Sequence, residues 1–198
     1  KNIKTVLEKN KLDGIDLDFE WAENEKEYKD YSLAILKMRE VLGNKYLFSV
    51  SLHPVCYKIS KEAIEAVDFI SLQCYGPSPV RFPIEKYCSD IQMVLEYGIP
   101  KEKLVAGVPF YGVTKDNSKK TEAYFNFVQN GLVTSPAQNE VIYQGDTYVF
   151  DGQDNIRIKT RYAKEQKLKG MMSWDLATDL PLSDSRSLLK TMTEELRE

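Results

Sequence analysis

Histidine and cysteine are scarce in this chain of 198 residues, which holds one His and three Cys. Cys56, Cys74 and Cys88 are odd in number and irregularly spaced. That argues against the disulfide framework of a small secreted domain, and no CxxC or Cys/His cluster offers zinc-type ligands. The thiols are read as free and mostly buried. No run approaches the roughly 20 apolar residues of a membrane-spanning helix. A formal net charge of −3 is too mild and of the wrong sign for a surface that binds nucleic acid or anionic lipid. Neither an initiator Met nor a basic-then-apolar leader stands at Lys1, which says nothing about secretion.

What is present suffices for one globular core: 42% of the residues are hydrophobic and 11% aromatic. Short strands are predicted at 14–19, 46–52, 69–75, 104–108 and 171–174. Between the first two, Tyr28, Tyr31, Ile35, Met38 and Leu42 recur every three or four positions, the mark of one helix face. Further helices are predicted at 62–67, at 84–97 (ended by Gly98 and Pro100), at 156–167 and at 185–196. Strands separated by helices imply right-handed crossovers and a parallel sheet, hence an α/β fold. One segment breaks the rhythm. In 141–150, Gly145-Asp146 lies between two β-prone runs and reads as a hairpin turn. With the polar stretch 114–121 it marks a small insertion at about 114–152 in a single domain spanning 1–198.

The chemistry is concentrated in LDGIDLDFEW, residues 12–21. On a strand, residues i, i+2 and i+4 share a face. Asp16, Asp18 and Glu20 therefore project together, and Ile15, Leu17 and Phe19 point the other way. A parallel sheet covered on both sides should be apolar on both, so three carboxylates in a column carry a desolvation cost. They also repel one another, which raises the pKa of at least one and favours holding a proton there near neutral pH. A proton-bearing carboxyl beside ionised ones is what a general acid needs. Plainer alternatives are a solvated edge strand or a calcium site. The first is disfavoured by the apolar partners on the opposite face, the second because calcium loops are not strands.

The same stretch resembles the DxxDxDxE signature of glycoside hydrolase family 18, the chitinases and their relatives, with Asp13, Asp16, Asp18 and Glu20 in all four acidic positions. Other segments agree in order: FISLQCY (69–75) resembles the family's sixth strand, KLVAGVPFYG (103–112) the seventh, and GMMSW (170–174) with DLATD (175–179) the eighth. The resemblance covers essentially the whole chain. It implies a TIM (β/α)8 barrel with the chemistry at the carboxyl ends of its strands. It also implies a cofactor-free, retaining hydrolase of β-1,4-linked N-acetylglucosamine glycans such as chitin.

By that resemblance Glu20 protonates the glycosidic oxygen and later activates water, while the substrate's own 2-acetamido oxygen is the nucleophile. Asp18 would orient the acetamido N–H and stabilise the oxazolinium charge. Asp16 would hold Asp18. Tyr75 would donate its hydroxyl to the acetamido oxygen, Trp174 would floor the cleaved sugar, and Gln73 would line the same pocket. Trp21 and Tyr111 would border subsites or simply pack. Asp13 is assigned to a turn or cap, and His53 to a structural role. Related readings are an endo-β-N-acetylglucosaminidase acting on N-glycans or peptidoglycan, and a chitinase-like lectin that has lost its acid. The polymeric substrate implies a secreted, periplasmic or cell-surface setting.

Two departures from the family pattern stand out. Many chitinases follow the sixth-strand Tyr with Asp or Asn, where this chain has Gly76. The acidic signature belongs to the family's fourth strand, yet lies about a dozen residues into a chain shorter than the roughly 250 residues of a full barrel. The expectation is an incomplete barrel of strands four to eight, whose open edges invite self-association or pairing with the N-terminal half.

Overall fold

The computed structural model describes residues 2–197. The chain opens with α1 (Asn2–Asn10), β1 (Gly14–Asp18), α2 (Glu25–Leu42), β2 (Leu47–Leu52), α3 (Lys61–Ala66) and β3 (Phe69–Leu72). After a 3-10 turn at Pro79–Arg81 come α4 (Ile84–Tyr97) and β4 (Leu104–Pro109). Then follow β5 (Tyr111–Thr114), β6 (Thr121–Ala123), α5 (Tyr124–Gln129), β7 (Glu140–Tyr143) and β8 (Asp146–Val149). The chain ends with α6 (Gln153–Glu165), β9 (Gly170–Trp174), a 3-10 turn at Leu176–Thr178, and α7 (Leu188–Arg197). No helix among the described residues is long and apolar enough to cross a membrane.

Five strands form one parallel sheet in the order β1-β2-β3-β4-β9, each neighbour reached by a crossover. This is the parallel α/β arrangement that the alternating pattern predicts. Alternation fixes what each face does. Phe48, Val50 and Leu52 of β2, Ile70 and Leu72 of β3, and Leu104, Ala106 and Val108 of β4 are buried in one apolar core. The same core contains Ile35 of α2, Ile91 of α4, Ile156 of α6 and Met192 of α7. The opposite face is polar. Ser49, Ser51, Ser71 and Gln73 are all buried there, which corrects the expectation of two apolar faces. Helices cover only one side of this sheet, and the acids of β1 meet hydroxyls on the other.

The solvated-edge alternative also holds more truth than the sequence argument gave it. β1 is an edge strand of the sheet, and Asp16, Asp18 and Glu20 are exposed. Ile15 and Leu17 are only half-buried, and Phe19 is 45% exposed although its ring packs on Tyr31 of α2 at 5.1 Å.

Between β4 and α6 lies a second, antiparallel sheet in the order β6-β5-β8-β7. Phe127 of α5 anchors it, with ring centroids 5.4 Å from both Tyr148 and Phe150. The β7–β8 hairpin turns through Gln144 and Gly145, at φ 52° and 88°, and pairs Tyr143 with Asp146. The turn sits one residue earlier than predicted, because two successive positive-φ residues make the tight hairpin turn and Gly tolerates the second. Two helices escape the sequence reading. α1 buries only Leu7 along nine residues, and α5 is six residues long, so neither presents a sustained periodic face.

The core holds one ion pair with no solvent exposure on either side chain, Lys159 Nζ to Asp151 Oδ2 at 2.6 Å. The ammonium lies over the rings of Tyr87 (5.4 Å) and Phe82 (6.0 Å), and Asp151 also accepts from Asn155. Removing one partner strands a buried charge, whereas removing both does not. Lys159→Met is expected to cost about 3–5 kcal/mol of unfolding free energy. The double change Lys159→Met/Asp151→Leu should recover most of that loss in urea denaturation, and a double variant as unstable as the single one would contradict this account.

Candidate active site

The carboxyl ends of β1, β3, β4 and β9 open on one cavity of about 380 Å³. Its walls include Asp18, Glu20, Trp21, Gln73, Tyr75, Tyr111 and Trp174, seven residues that the sequence singles out. Asp16 is the exception. It lies one rung deeper, where its carboxylate accepts from Ser49 Oγ (2.5 Å) and Ser51 Oγ (2.8 Å) on β2. The parallel register Asp16↔Ser49 and Asp18↔Ser51 makes this contact inevitable once β1 and β2 pair. Asp13 is exposed before β1, where its carbonyl accepts from Leu47 N–H at 3.0 Å.

Asp18 accepts from Gln73 Nε2 at 3.2 and 3.3 Å. Its pKa is raised above the usual carboxylate value, first by burial and then by the charges of Glu20 and Asp16, against the lowering effect of Gln73. The proton-favouring repulsion anticipated among the three acids therefore falls on Asp18, the middle member. The Glu20 carboxylate has no hydrogen-bond partner among the described residues, so both oxygens are open to the cavity.

Tyr75 closes the floor opposite the acids. Its side chain passes over Gly107 of β4, where an added Cβ would sit 2.9 Å from Tyr75 Cε1 and 2.7 Å from Leu72 O. Burial first, then Tyr111, Asp18 and Glu20, push its hydroxyl pKa far up. The phenol is thus a permanent donor. Its only acceptor among the described residues is the thioether of Met172 at 3.6 Å, a weak partner that a carbonyl oxygen would displace. Tyr111 packs edge-on to Tyr75 with ring centroids 6.4 Å apart. Trp174, 54% exposed at the end of β9, offers an open indole face, and Trp21 at 40% another. The peptide bonds Glu20–Trp21 and Trp174–Asp175 are both cis.

Sequence reasoning assigned His53 to structure, and its contacts agree, although it also lines the cavity. Nε2–H donates to Tyr75 O (3.0 Å), Nδ1 accepts from Val55 N–H (3.2 Å), and Trp21 stacks edge-on at 4.7 Å. That pattern fixes the neutral tautomer; burial, then Arg81, lowers its pKa to about 4. Arg81 was missed. It lines the same wall beside Gly76 and is held by Asp90 Oδ2 at 2.9 Å. The only signal for it in the sequence is a cation six residues after a motif Tyr, too weak without knowledge of its buried anchor.

The parallel α/β sheet thus carries an acidic strand end and aromatic side chains around one cavity. The family model for glycosyl hydrolases family 18 matches residues 1–179, and the chain belongs to that family. A probable chitinase 2 of Drosophila melanogaster is 23% identical over 90% of this chain and 50% of that protein. The crystal structure of the GH18 chitinase ChiB, from the chitin utilization locus of Flavobacterium johnsoniae, superposes with a TM-score of 0.79. It is 27% identical, over 98% of this chain and 63% of that one. A chitinase from Bacteroides thetaiotaomicron gives a TM-score of 0.82 at 20% identity, over 96% of this chain and 65% of that one, which speaks for a TIM-barrel-like fold alone. The chain spans about half the length of the Drosophila protein and under two thirds of the two structures.

The raised Asp18 pKa has a consequence for stability. A carboxyl whose folded pKa exceeds its unfolded value near 3.8 stabilises the fold at low pH, and that contribution is lost as pH rises through the folded value. Asn keeps the acceptor for Gln73 and has no charge to lose. Asp18→Asn should therefore melt higher than the parent, with the gap widening from about pH 3 to about pH 7. Thermal unfolding across that range tests this, and a gap independent of pH would contradict it.

Proposed function

We propose that this chain carries the catalytic acid of a retaining, substrate-assisted hydrolase of β-1,4-linked N-acetylglucosamine glycans, chitin or chito-oligosaccharides. The single observation that carries the reading is the convergence of Glu20, Asp18, Tyr75 and Trp174 on one cavity. A sugar ring stacks its C–H face on the Trp174 indole. Glu20 gives its proton to the glycosidic oxygen as the bond to the anomeric carbon breaks. The acetamido carbonyl oxygen of the same sugar attacks that carbon, forming a cyclic oxazolinium. Asp18 accepts the acetamido N–H and offsets the positive charge, and Tyr75 O–H donates to the carbonyl oxygen and aligns it. Glu20, now ionised, takes a proton from water as the water opens the ring, which restores the acid and retains configuration. Asp16, held by Ser49 and Ser51, is fixed in place beneath Asp18. Gln73 holds Asp18 in place, and Trp21 and Tyr111 border the neighbouring sugar positions.

In this reading the sheet corresponds to strands four to eight of the family's eight-stranded barrel. The edges at β1 and β9 would then adjoin N-terminal strands or a second copy. Polymeric substrates place the enzyme outside the cytoplasm or at the cell surface. The lectin alternative is disfavoured by the presence of Glu20 with both oxygens open. In the whole protein, Glu20→Gln is expected to lower kcat on chito-oligosaccharides by about 10²–10⁴-fold, the usual worth of a general acid–base group. KM should stay within a few-fold. Equal product release by parent and variant would remove Glu20 from its role, and sugar binding without turnover by the parent would favour a lectin.

A further inference from the structure

Gly76 and Arg81 together change the chemistry of the wall facing the acids. An added Cβ at Gly76 would lie 3.9 Å from Arg81 Cγ and 3.8 Å from His53 Nε2, so the arginine stem runs along the space that a side chain there would enter. The guanidinium is not a surface cation. Its side chain is 13% exposed, and it pairs with Asp90, whose side chain is 1% exposed. Asp90 also takes the ammonium of Lys86. One carboxylate thus answers two cations, and the cluster keeps a net positive charge. His53, neutral in its fixed tautomer, adds none.

Only one guanidinium N–H of Arg81 is engaged, the one donated to Asp90; the other guanidinium donors have no partner among the described residues. None of those nitrogens is sealed from solvent without a partner, and Arg81 is one of the residues that line the cavity. A planar fork of free N–H donors on an excess positive charge, inside a pocket of sugar size, is a carboxylate-binding arrangement. The acids Asp18 and Glu20 occupy the β1 end of the same cavity and repel an anion there. The pocket is therefore polarised, acid at one wall and cation at the other, and an asymmetric ligand can satisfy both.

We infer that Arg81 is a specificity-determining residue that recognises a carboxylate carried by the bound glycan, so that the preferred substrate is an N-acetylhexosamine polymer bearing acidic substituents rather than a uniformly neutral one. This rests on the hydrolase reading above and narrows its substrate class. The test compares three tetrasaccharides on the whole protein: neutral chitotetraose, a tetrasaccharide alternating N-acetylglucosamine with its 3-O-lactyl acid, and the same compound with the lactyl group as carboxamide. The parent is expected to show at least a tenfold higher kcat/KM for the acid over the carboxamide, carried mainly by KM and shrinking as salt is added. Arg81→Gln should reduce that ratio at least tenfold, and Arg81→Lys, which keeps charge and the contact to Asp90 within reach, should retain part of it. Because ratios are compared within each variant, a general loss of folding does not mimic the effect. A parent that cleaves acid and carboxamide alike, or an Arg81→Gln variant with the parental ratio, overturns the inference and leaves the hydrolase reading standing. Cleavage of none of the three, chitotetraose included, defeats the hydrolase reading and this one with it.

Discussion

The hydrogen bonds from Ser49 and Ser51 to Asp16 are the contact on which the site depends. An acidic strand pairs in parallel with its neighbour only if the facing rungs solvate its carboxylates. β2 supplies two hydroxyls at the right spacing because its residues alternate Ser with Phe and Val. One strand thereby serves two solvents, hydrocarbon from the helices on one face and hydroxyls on the other. With Asp16 tied down, Asp18 one rung further on meets Gln73, and Glu20 beyond the end of the strand meets nothing. The gradient along β1 runs from fully held to fully free, which suits an anchor, an orienter and a proton carrier in that order.

Repulsion among the three acids is then distributed by position. Asp18 sits between two like charges and is the one whose proton is held more tightly. Gln73 partly opposes this, since its amide donates to the ionised form. The balance keeps Asp18 sensitive to what enters the cavity. A ligand N–H adds a second donor to the ionised form, and a ligand that displaces water raises the desolvation cost of the same charge. Tyr75 has no such ambivalence, because burial, Tyr111 and the two carboxylates Asp18 and Glu20 all hold its proton in place.

Much of this was legible before the fold was known, and the failures have physical causes. The five parallel strands and the long helices follow from periodicity: β2, β3, β4 and the long helices bury apolar sets at regular spacing, and β1 half-buries Ile15 and Leu17. α1 and α5 do not, since Leu7 alone is buried in the first and the second is too short to complete a second turn of pattern. The polar inner face is written in the alternating serines of FSVSL, which depart from the two apolar faces usual for a parallel sheet because helices cover only one side of this one. The acids, Tyr75 and Trp174 are local signals at strand ends. Arg81 is not, because its meaning comes from Asp90 nine residues on and from the absence of a side chain at Gly76.

The same logic separates two cationic clusters, one around Lys159 and one around Arg81. Lys159 is matched one to one by Asp151, lies against aromatic faces and has no exposure, so its charge is spent on holding α6 to the loop after β8. Arg81 and Lys86 outnumber Asp90, and Arg81 lines the sugar-sized space. Asp90 is buried and Arg81 nearly so, whereas the Lys86 side chain is 40% exposed and reaches water. Lys159 is fully answered within the fold, whereas the guanidinium donors of Arg81 that Asp90 does not take are left for water or a ligand. The imbalance on this wall and the open oxygens of Glu20 on the other are thus two halves of one unsatisfied surface, complementary in sign, and a ligand that answers both is held across the cavity in a single orientation.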